Sequence, residues 1–221
     1  MLTLAIDCAL RRINLGVADG ENFQGELSID VGTRQSEILP GAARDFLRMF
    51  GLSMRDVGHI AVTTGPGYFT GIRVGLSYAA ALAESLGILV SGVSTLKAMV
   101  LPLIEVLAAG DFSSFAAPVI PASRDSLYAA MYRVRPGMTP DVDILMESSH
   151  IRTEDLFDCF EARADSEVII ISSNIPATAS GKKHLRVIPP PSVSRGVLMA
   201  AASISPVDPS EIKAAYLRRP C

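Results

Sequence analysis

Thr63-Thr64-Gly65-Pro66-Gly67-Tyr68-Phe69-Thr70-Gly71-Ile72-Arg73-Val74-Gly75-Leu76 is the stretch from which the fold is read. The apolar run His59-Ile60-Ala61-Val62 before it has the length and branching of a buried strand. Gly65, Pro66 and Gly67 punctuate a turn, because Gly supplies backbone angles other residues resist and Pro fixes its own. The Ala- and Leu-rich run to Leu86 reads as a helix, and Ile88 to Val93 as a second strand. Strand, tight turn, helix and strand make a parallel crossover of right-handed sense. Such a turn either offers backbone N–H groups to an anion or lets helix and strand approach closely. The spacing fits neither G-x-x-x-x-G-K-[ST] nor G-x-G-x-x-G, which favours packing and leaves the anion reading open.

Within the helix, Gly71, Gly75, Ala79 and Ala83 form a ridge of small side chains at a four-residue spacing. Ridges of this kind admit close approach of another helix. Val74, Tyr78, Ala81 and Leu82 make further faces apolar, so the helix reads either as central in its own core or as shared with a partner chain.

The remaining sequence builds outward from this unit. Its 221 residues suffice for one large domain or two small lobes; 49% are hydrophobic and the net charge is −3. That slightly acidic balance, without a block of like charge, argues against unaided binding of nucleic acid or anionic membrane. Cys8, Cys159 and Cys221 are isolated, without metal or redox spacing, as expected of reduced thiols in a cytoplasmic protein. No leader pattern is read at the N-terminus, and the apolar run near Ala98–Leu107 is too short to span a bilayer.

Leu2–Ile6, Ile13–Ala18 and Phe23–Ile29 read as three strands of a meander, with Asp19-Gly20 as a hairpin signal. A helix capped by Ser36 is expected to Phe50, with Leu39, Ala42, Ala43, Phe46 and Leu47 at helical spacing. After the crossover, a helix from Thr95 to Leu107 closes the first half. The second half repeats this order. Strands are expected at Phe115–Ile120, Leu127–Val134 and Val142–Met146, then a short helix capped by Thr153, then strands at Val168–Ile171 and Leu185–Ile188. Ser173–Lys183 reads as loop, so the second lobe is truncated, and Val193–Ser203 reads as its last helix. The expected fold is α/β, two lobes of β-β-β-α-β-α type with a cleft between them, like the actin, Hsp70 and sugar-kinase (ribonuclease H-like) group. The first lobe is taken as 1–108, the second as 109–204, with 205–221 returning to the first.

In that group, turns of the first hairpin of each lobe hold ATP phosphates. Here those turns are Asp7-Cys8-Ala9-Leu10-Arg11-Arg12 and Pro121-Ala122-Ser123-Arg124-Asp125-Ser126, and neither contains Gly. Side chains would occupy the space where backbone must approach phosphate. Asp7 is the candidate for holding Mg²⁺ through water.

The segment Gly65 to Leu76 resembles the G-P-G-S-F-T-G-[LI]-R-[IV]-G pattern of the TsaB family, also called YeaZ. Ile6-Asp7 is similar to its I-D-T-S, and Gln35-Ser36-Glu37-Ile38-Leu39-Pro40 to its H-S-E-x-L-x-P. Ala122-Ser123-Arg124-Asp125-Ser126-Leu127-Tyr128 resembles its D-A-R-x-x-E-V-Y, and Ala215-Tyr216-Leu217-Arg218 its P-x-Y-L-R. Cys8-Ala9, Gln35, Tyr68 and Ser126 depart from Thr-Ser, His, Ser and Glu. The resemblance implies a non-catalytic cytoplasmic partner of a TsaD-like transferase in threonylcarbamoyl modification of the tRNA adenosine 3′ of the anticodon. It also implies a TsaE-like ATPase as third component, a homodimer when alone, tRNA contact only through the complex, and no membrane association. ATP and metal would belong to the partner subunits, leaving this chain without cofactor.

The partner interface expected from this resemblance and the small-residue ridge comprises Leu39, Ala42, Ala43, Phe46, Gly71, Arg73, Gly75, Ala79 and Ala83, while Gly65, Pro66, Gly67 and Thr70 form a structural turn. An autonomous ATPase or small-molecule kinase of the same fold is the alternative. The glycoprotease label once attached to the family finds no support in the residues: His59, His150 and His184 are far apart, and no G-x-S-x-G occurs.

Overall fold

The computed structural model describes residues 1–110, 113–137, 141–172 and 185–217, the side chains of residues 105 and 141 excepted. The chain divides into two compact units, Met1–Ala98 with Ser192–Ala215, and Met99–Pro191 with Tyr216–Cys221.

The first unit is a mixed five-stranded sheet. β1 (Leu2–Asp7), β2 (Arg12–Asp19) and β3 (Asn22–Asp30) form an antiparallel meander; β4 (His59–Gly65) and β5 (Val90–Ser94) continue it in parallel, in the order β3-β2-β1-β4-β5. Gly20, at φ +57°, turns the β2–β3 hairpin where Asp19-Gly20 was expected to. α1 (Gln35–Arg48) and α2 (Phe69–Leu86) connect the strands and pack on one face, over Leu4, Ile6, Ile13, Leu15, Ile60 and Val62. α2 ends on Gly87 in the left-handed conformation, as helices commonly do.

The other face is made of small residues. Gly16, Ala5, Ala61 and Ser91 lie side by side across four strands. α5 (Val193–Ala201) packs over this row, where a Cβ on Gly16 would come within 3.0 Å of the Ser194 Cβ. Its start is anchored by Glu26, whose carboxylate accepts bonds from the hydroxyls of Ser192 and Ser194. This revises the expected boundary: the helix near 193–203 was assigned to the second lobe, yet a row of Gly and Ala in the first sheet is what lets it dock there. The segment after it also returns to the first sheet, through a bridge between Val207 and Val90 and a bond from Ala215 N–H to the Thr64 carbonyl.

α3 (Thr95–Ala108) carries the chain onward, and the division between units falls within it. The second unit repeats the strand plan. β6 (Ser114–Pro121), β7 (Ser126–Arg135) and β8 (Asp141–Arg152) are antiparallel; β9 (Val168–Ile171) and β10 (Leu185–Ile188) run parallel to β6, in the order β8-β7-β6-β9-β10. α4 (Leu156–Glu161) presses Leu156, Phe157 and Phe160 onto Phe115, Val119, Leu127 and Val168. β8 is longer than expected and takes in His150. The loop expected over Ser173–Lys183 lies outside the described residues. Neither Ser36 nor Thr153 caps its helix: Arg34 and Asp155 hold those positions, without a side-chain cap bond.

Candidate functional site

The first hairpin turn, Asp7 to Arg12, is the node around which the first unit closes. Asp7 is fully buried. Its Oδ1 accepts from Thr63 Oγ1 at 2.7 Å and Ala9 N at 3.1 Å, and its Oδ2 accepts from Asn14 Nδ2 at 2.7 Å. Burial pushes its carboxyl above the ordinary 3.8, with the three hydrogen bonds pulling the other way. A carboxylate so engaged with its own chain presents no oxygen to a hydrated cation, which argues against the Mg²⁺ role. Cys8 beside it is buried, and burial together with the Asp7 charge raises its thiol far above the ordinary range.

The Gly-Pro-Gly turn settles against this hairpin. Tyr68 N donates to the Ala9 carbonyl at 2.9 Å. A Cβ on Gly67 would lie 2.6 Å from that oxygen, and one on Gly71 only 2.1 Å from the Cys8 carbonyl. Gly65 is at φ +112°, next to a cis bond to Pro66. The turn therefore serves close backbone packing. Gln35 Nε2 completes the node, donating to the carbonyls of Cys8 at 2.9 Å and Arg12 at 3.0 Å. Sequence reasoning noted Gln35 only as a departure from the family's His and missed this role.

These contacts correct the expected interface. Gly71, Gly75, Ala79 and Ala83 are buried against their own sheet, with Gly75 facing Cys8 and Val62. Leu39, Ala43 and Phe46 belong to the same core. Of the nine residues expected to face a partner, Ala42 is half-buried and Arg73 exposed, and the other seven are enclosed in their own unit. The reason is geometric: a small-residue ridge admits any close neighbour, and the nearest backbone is the Cys8–Ala9 turn. Thr70, expected in the structural turn, is instead exposed in the first turn of α2.

What α1 and α2 turn outward is a different surface. Ser36, Pro40, Phe69, Arg73 and Tyr78 are among the residues lining an open cleft of about 370 Å³ between the two helices. Along α2, Val74, Tyr78 and Leu82 are half-buried; Ser77 and Ala81 are exposed, and Phe69 is 56% exposed. Such a surface suits a protein partner more than a small ligand, which calls for an enclosed pocket.

The histidines serve local structure. His59 is buried and bonded to Ser91 Oγ at 3.0 Å, and burial lowers it below the ordinary 6.5. His150 Nε2 meets Ser126 Oγ at 2.9 Å. Among the described residues no three His, Cys, Asp or Glu side chains gather as metal ligands, and no helix is long and apolar enough to cross a membrane. His184 lies outside the described residues.

Residues 30–168 match the family described as TsaD, tRNA N6-adenosine threonylcarbamoyltransferase. The chain is 28% identical over 152 residues to the Bacillus subtilis tRNA threonylcarbamoyladenosine biosynthesis protein TsaB, covering 66% of this chain and 63% of that protein. It is 32% identical over 99 residues to the Escherichia coli protein of the same name, covering 45% of this chain and 42% of that one. The matches thus span less than two thirds of either relative. In structure it is similar to a Pseudomonas aeruginosa protein described as having similarity to peptidase YeaZ, with a TM-score of 0.75 and 19% identity over 98% of this chain and 99% of that one. That likeness establishes the fold.

Proposed function

This chain belongs to the TsaD, tRNA N6-adenosine threonylcarbamoyltransferase, family, and from that premise we propose that it serves tRNA threonylcarbamoyladenosine synthesis as a non-catalytic subunit. It docks a TsaD-like catalytic protein on the outward face of α1 and α2. The observation that carries this reading is the state of the first hairpin turn. Gly67, Gly71, Gln35 and the Asp7 network fill the space around it with the chain's own backbone and side chains. The names of the curated relatives support the pathway. ATP, metal and the TsaE-like ATPase act on or with the partner, and this chain meets tRNA within the complex.

The outward face supplies the docking chemistry. Val74, Tyr78 and Leu82 offer apolar surface, and the exposed Ser77 and Ala81 let a partner helix approach closely. The test is a reconstitution with a TsaD-like protein, a TsaE-like ATPase and threonylcarbamoyl-adenylate. Modification should depend on this chain, and Ser77→Glu and Ala81→Glu should each weaken co-elution with the TsaD-like protein at least tenfold without changing the melting temperature. Equal modification with and without the chain would reject the reading. Charge at Ala79 would be uninformative, because Ala79 is buried against its own sheet.

A further inference from the structure

Four arginines gather where the first hairpin turn meets the N-terminal ends of α1 and α2. Arg11, at φ +60° in the turn, lays its guanidinium 3.9 Å from the Tyr68 ring centroid. Arg73, in the first turns of α2, sits 5.2 Å from the Phe69 ring centroid. Arg34 immediately precedes α1 and is exposed. Arg12 is engaged by Asp30 at 3.6 Å and by Ser28 Oγ at 3.1 Å. The bonds from Gln35 to Cys8 and Arg12, and from Tyr68 to Ala9, hold these three segments together. The carboxylates nearby are Asp30, taken by Arg12, the exposed Glu37 in the first turn of α1, and the buried Asp7. Arg11, Arg34 and Arg73 have no carboxylate partner among the described residues. Neither helix start carries a side-chain cap, which adds partial positive charge at the same place.

We propose that this rim binds the phosphodiester backbone of an RNA loop, with an unpaired base free to stack beside Phe69. A guanidinium laid over a ring keeps its N–H edge for phosphate oxygens. Alternating arginine and partly exposed aromatic side chains are the surface that unpaired nucleotides recognise, since phosphates use the charge and bases use the rings. An acidic peptide would use only the charge. The rim lies at the N-terminal ends of both helices; Ser77 and Ala81 are about 6 and 12 Å farther along α2 than Arg73, so RNA on the rim adjoins the docked protein. The proposal rests on the tRNA-pathway reading for the choice of RNA, and it adds a direct contact by this subunit.

The experiment is fluorescence anisotropy of a labelled anticodon stem–loop RNA titrated with the full chain at two salt concentrations differing about threefold. Three arginines on single-stranded phosphates give a log–log salt slope of about −2, so affinity should fall about tenfold between the two conditions. The combined Arg11→Ala, Arg34→Ala, Arg73→Ala variant should lose binding at least thirtyfold and flatten the slope. Each single variant, less demanding on the fold, should reduce the slope by about 0.7. Phe69→Ala should weaken binding severalfold with the slope unchanged, whereas Arg48→Ala, at the far end of α1, should leave it intact. Absence of wild-type binding, arginine variants that bind like wild type, or equal competition by polyglutamate would overturn the proposal, the last in favour of an acidic protein segment. No RNA binding by the wild-type chain with reconstituted modification intact sinks this inference alone; RNA binding by the wild-type chain with modification independent of it sinks the pathway reading alone.

Discussion

Both sheets follow one strand plan, and the helices at equivalent places in them differ. Between the meander and the first parallel strand, the first unit carries α1 with fourteen residues, and the second carries α4 with six. The hairpin turns differ in the same direction. The turn at Asp7–Arg12 is held from a distance, by Asn14, Gln35, Thr63 and Tyr68 and by the close approach of Gly67 and Gly71. The turn at Ala122–Ser126 is held by itself and its edge strand: Ala122 and Ser123 donate to the Ser126 carbonyl, the Ser123 and Ser126 hydroxyls meet at 2.6 Å, and His150 reaches Ser126 at 2.9 Å. A turn locked by two long helices makes the first unit one packed body with an outward helical face. The second turn depends on local bonds.

If that contrast holds, the largest effect belongs to Gly71. Gly71→Val would place a Cβ 2.1 Å from a backbone carbonyl that cannot swing away, and should cost about 3 kcal/mol or more in urea unfolding. Arg124→Ala in the exposed second turn should stay within about 0.5 kcal/mol. Equal losses would break the comparison.

Asp7→Ala comes next, at about 2 kcal/mol, because it strands the Asn14 and Thr63 donors in the core. The pH dependence sharpens it. A raised carboxyl binds its proton more tightly in the folded state, so this part of the stability is fully present below the ordinary 3.8 and is lost as pH rises through the folded value. The stability of the wild type relative to Asp7→Asn should fall as pH rises across that window, in unfolding midpoints measured side by side.

A smaller loss, about 1 kcal/mol, is expected for Ser126→Ala, which removes two hydroxyl contacts in the second turn; calorimetry would register it as a modest drop in melting temperature. The last contrast costs no stability. In a Cys221→Ser background, the half-buried Cys159 of α4 should react with a thiol reagent under native conditions, while the buried Cys8 should react only on unfolding. Rapid labelling of Cys8 would show the first turn to be looser than its contacts imply.

Much of the fold was legible because apolar runs, Gly/Pro punctuation and helical spacing are local signals. β1, β4, β6 and β9 stand where Leu2–Ile6, His59–Val62, Phe115–Ile120 and Val168–Ile171 predict them. The helix caps were misread because Ser36 and Thr153 suit a cap by residue type, while the neighbouring chain path, not the residue, sets where a helix starts. The site was less legible. Gln35 and Thr63 act through partners twenty-seven and fifty-six residues away, distances at which sequence spacing carries no information. The arginine rim is dispersed over positions 11, 12, 34 and 73, each unremarked as a charge cluster until three segments meet.

The sequence by itself determined the elements and the parallel crossover, since backbone angles, period and side-chain size are properties of the residues in place. Only the tertiary structure decided what the small-residue ridge of α2 touches. A ridge without side chains is equally open to a neighbouring protein and to the chain's own backbone. Pairing of β1 with β4 brings the Cys8–Ala9 turn under that ridge, so the inner face closed on the chain's own backbone.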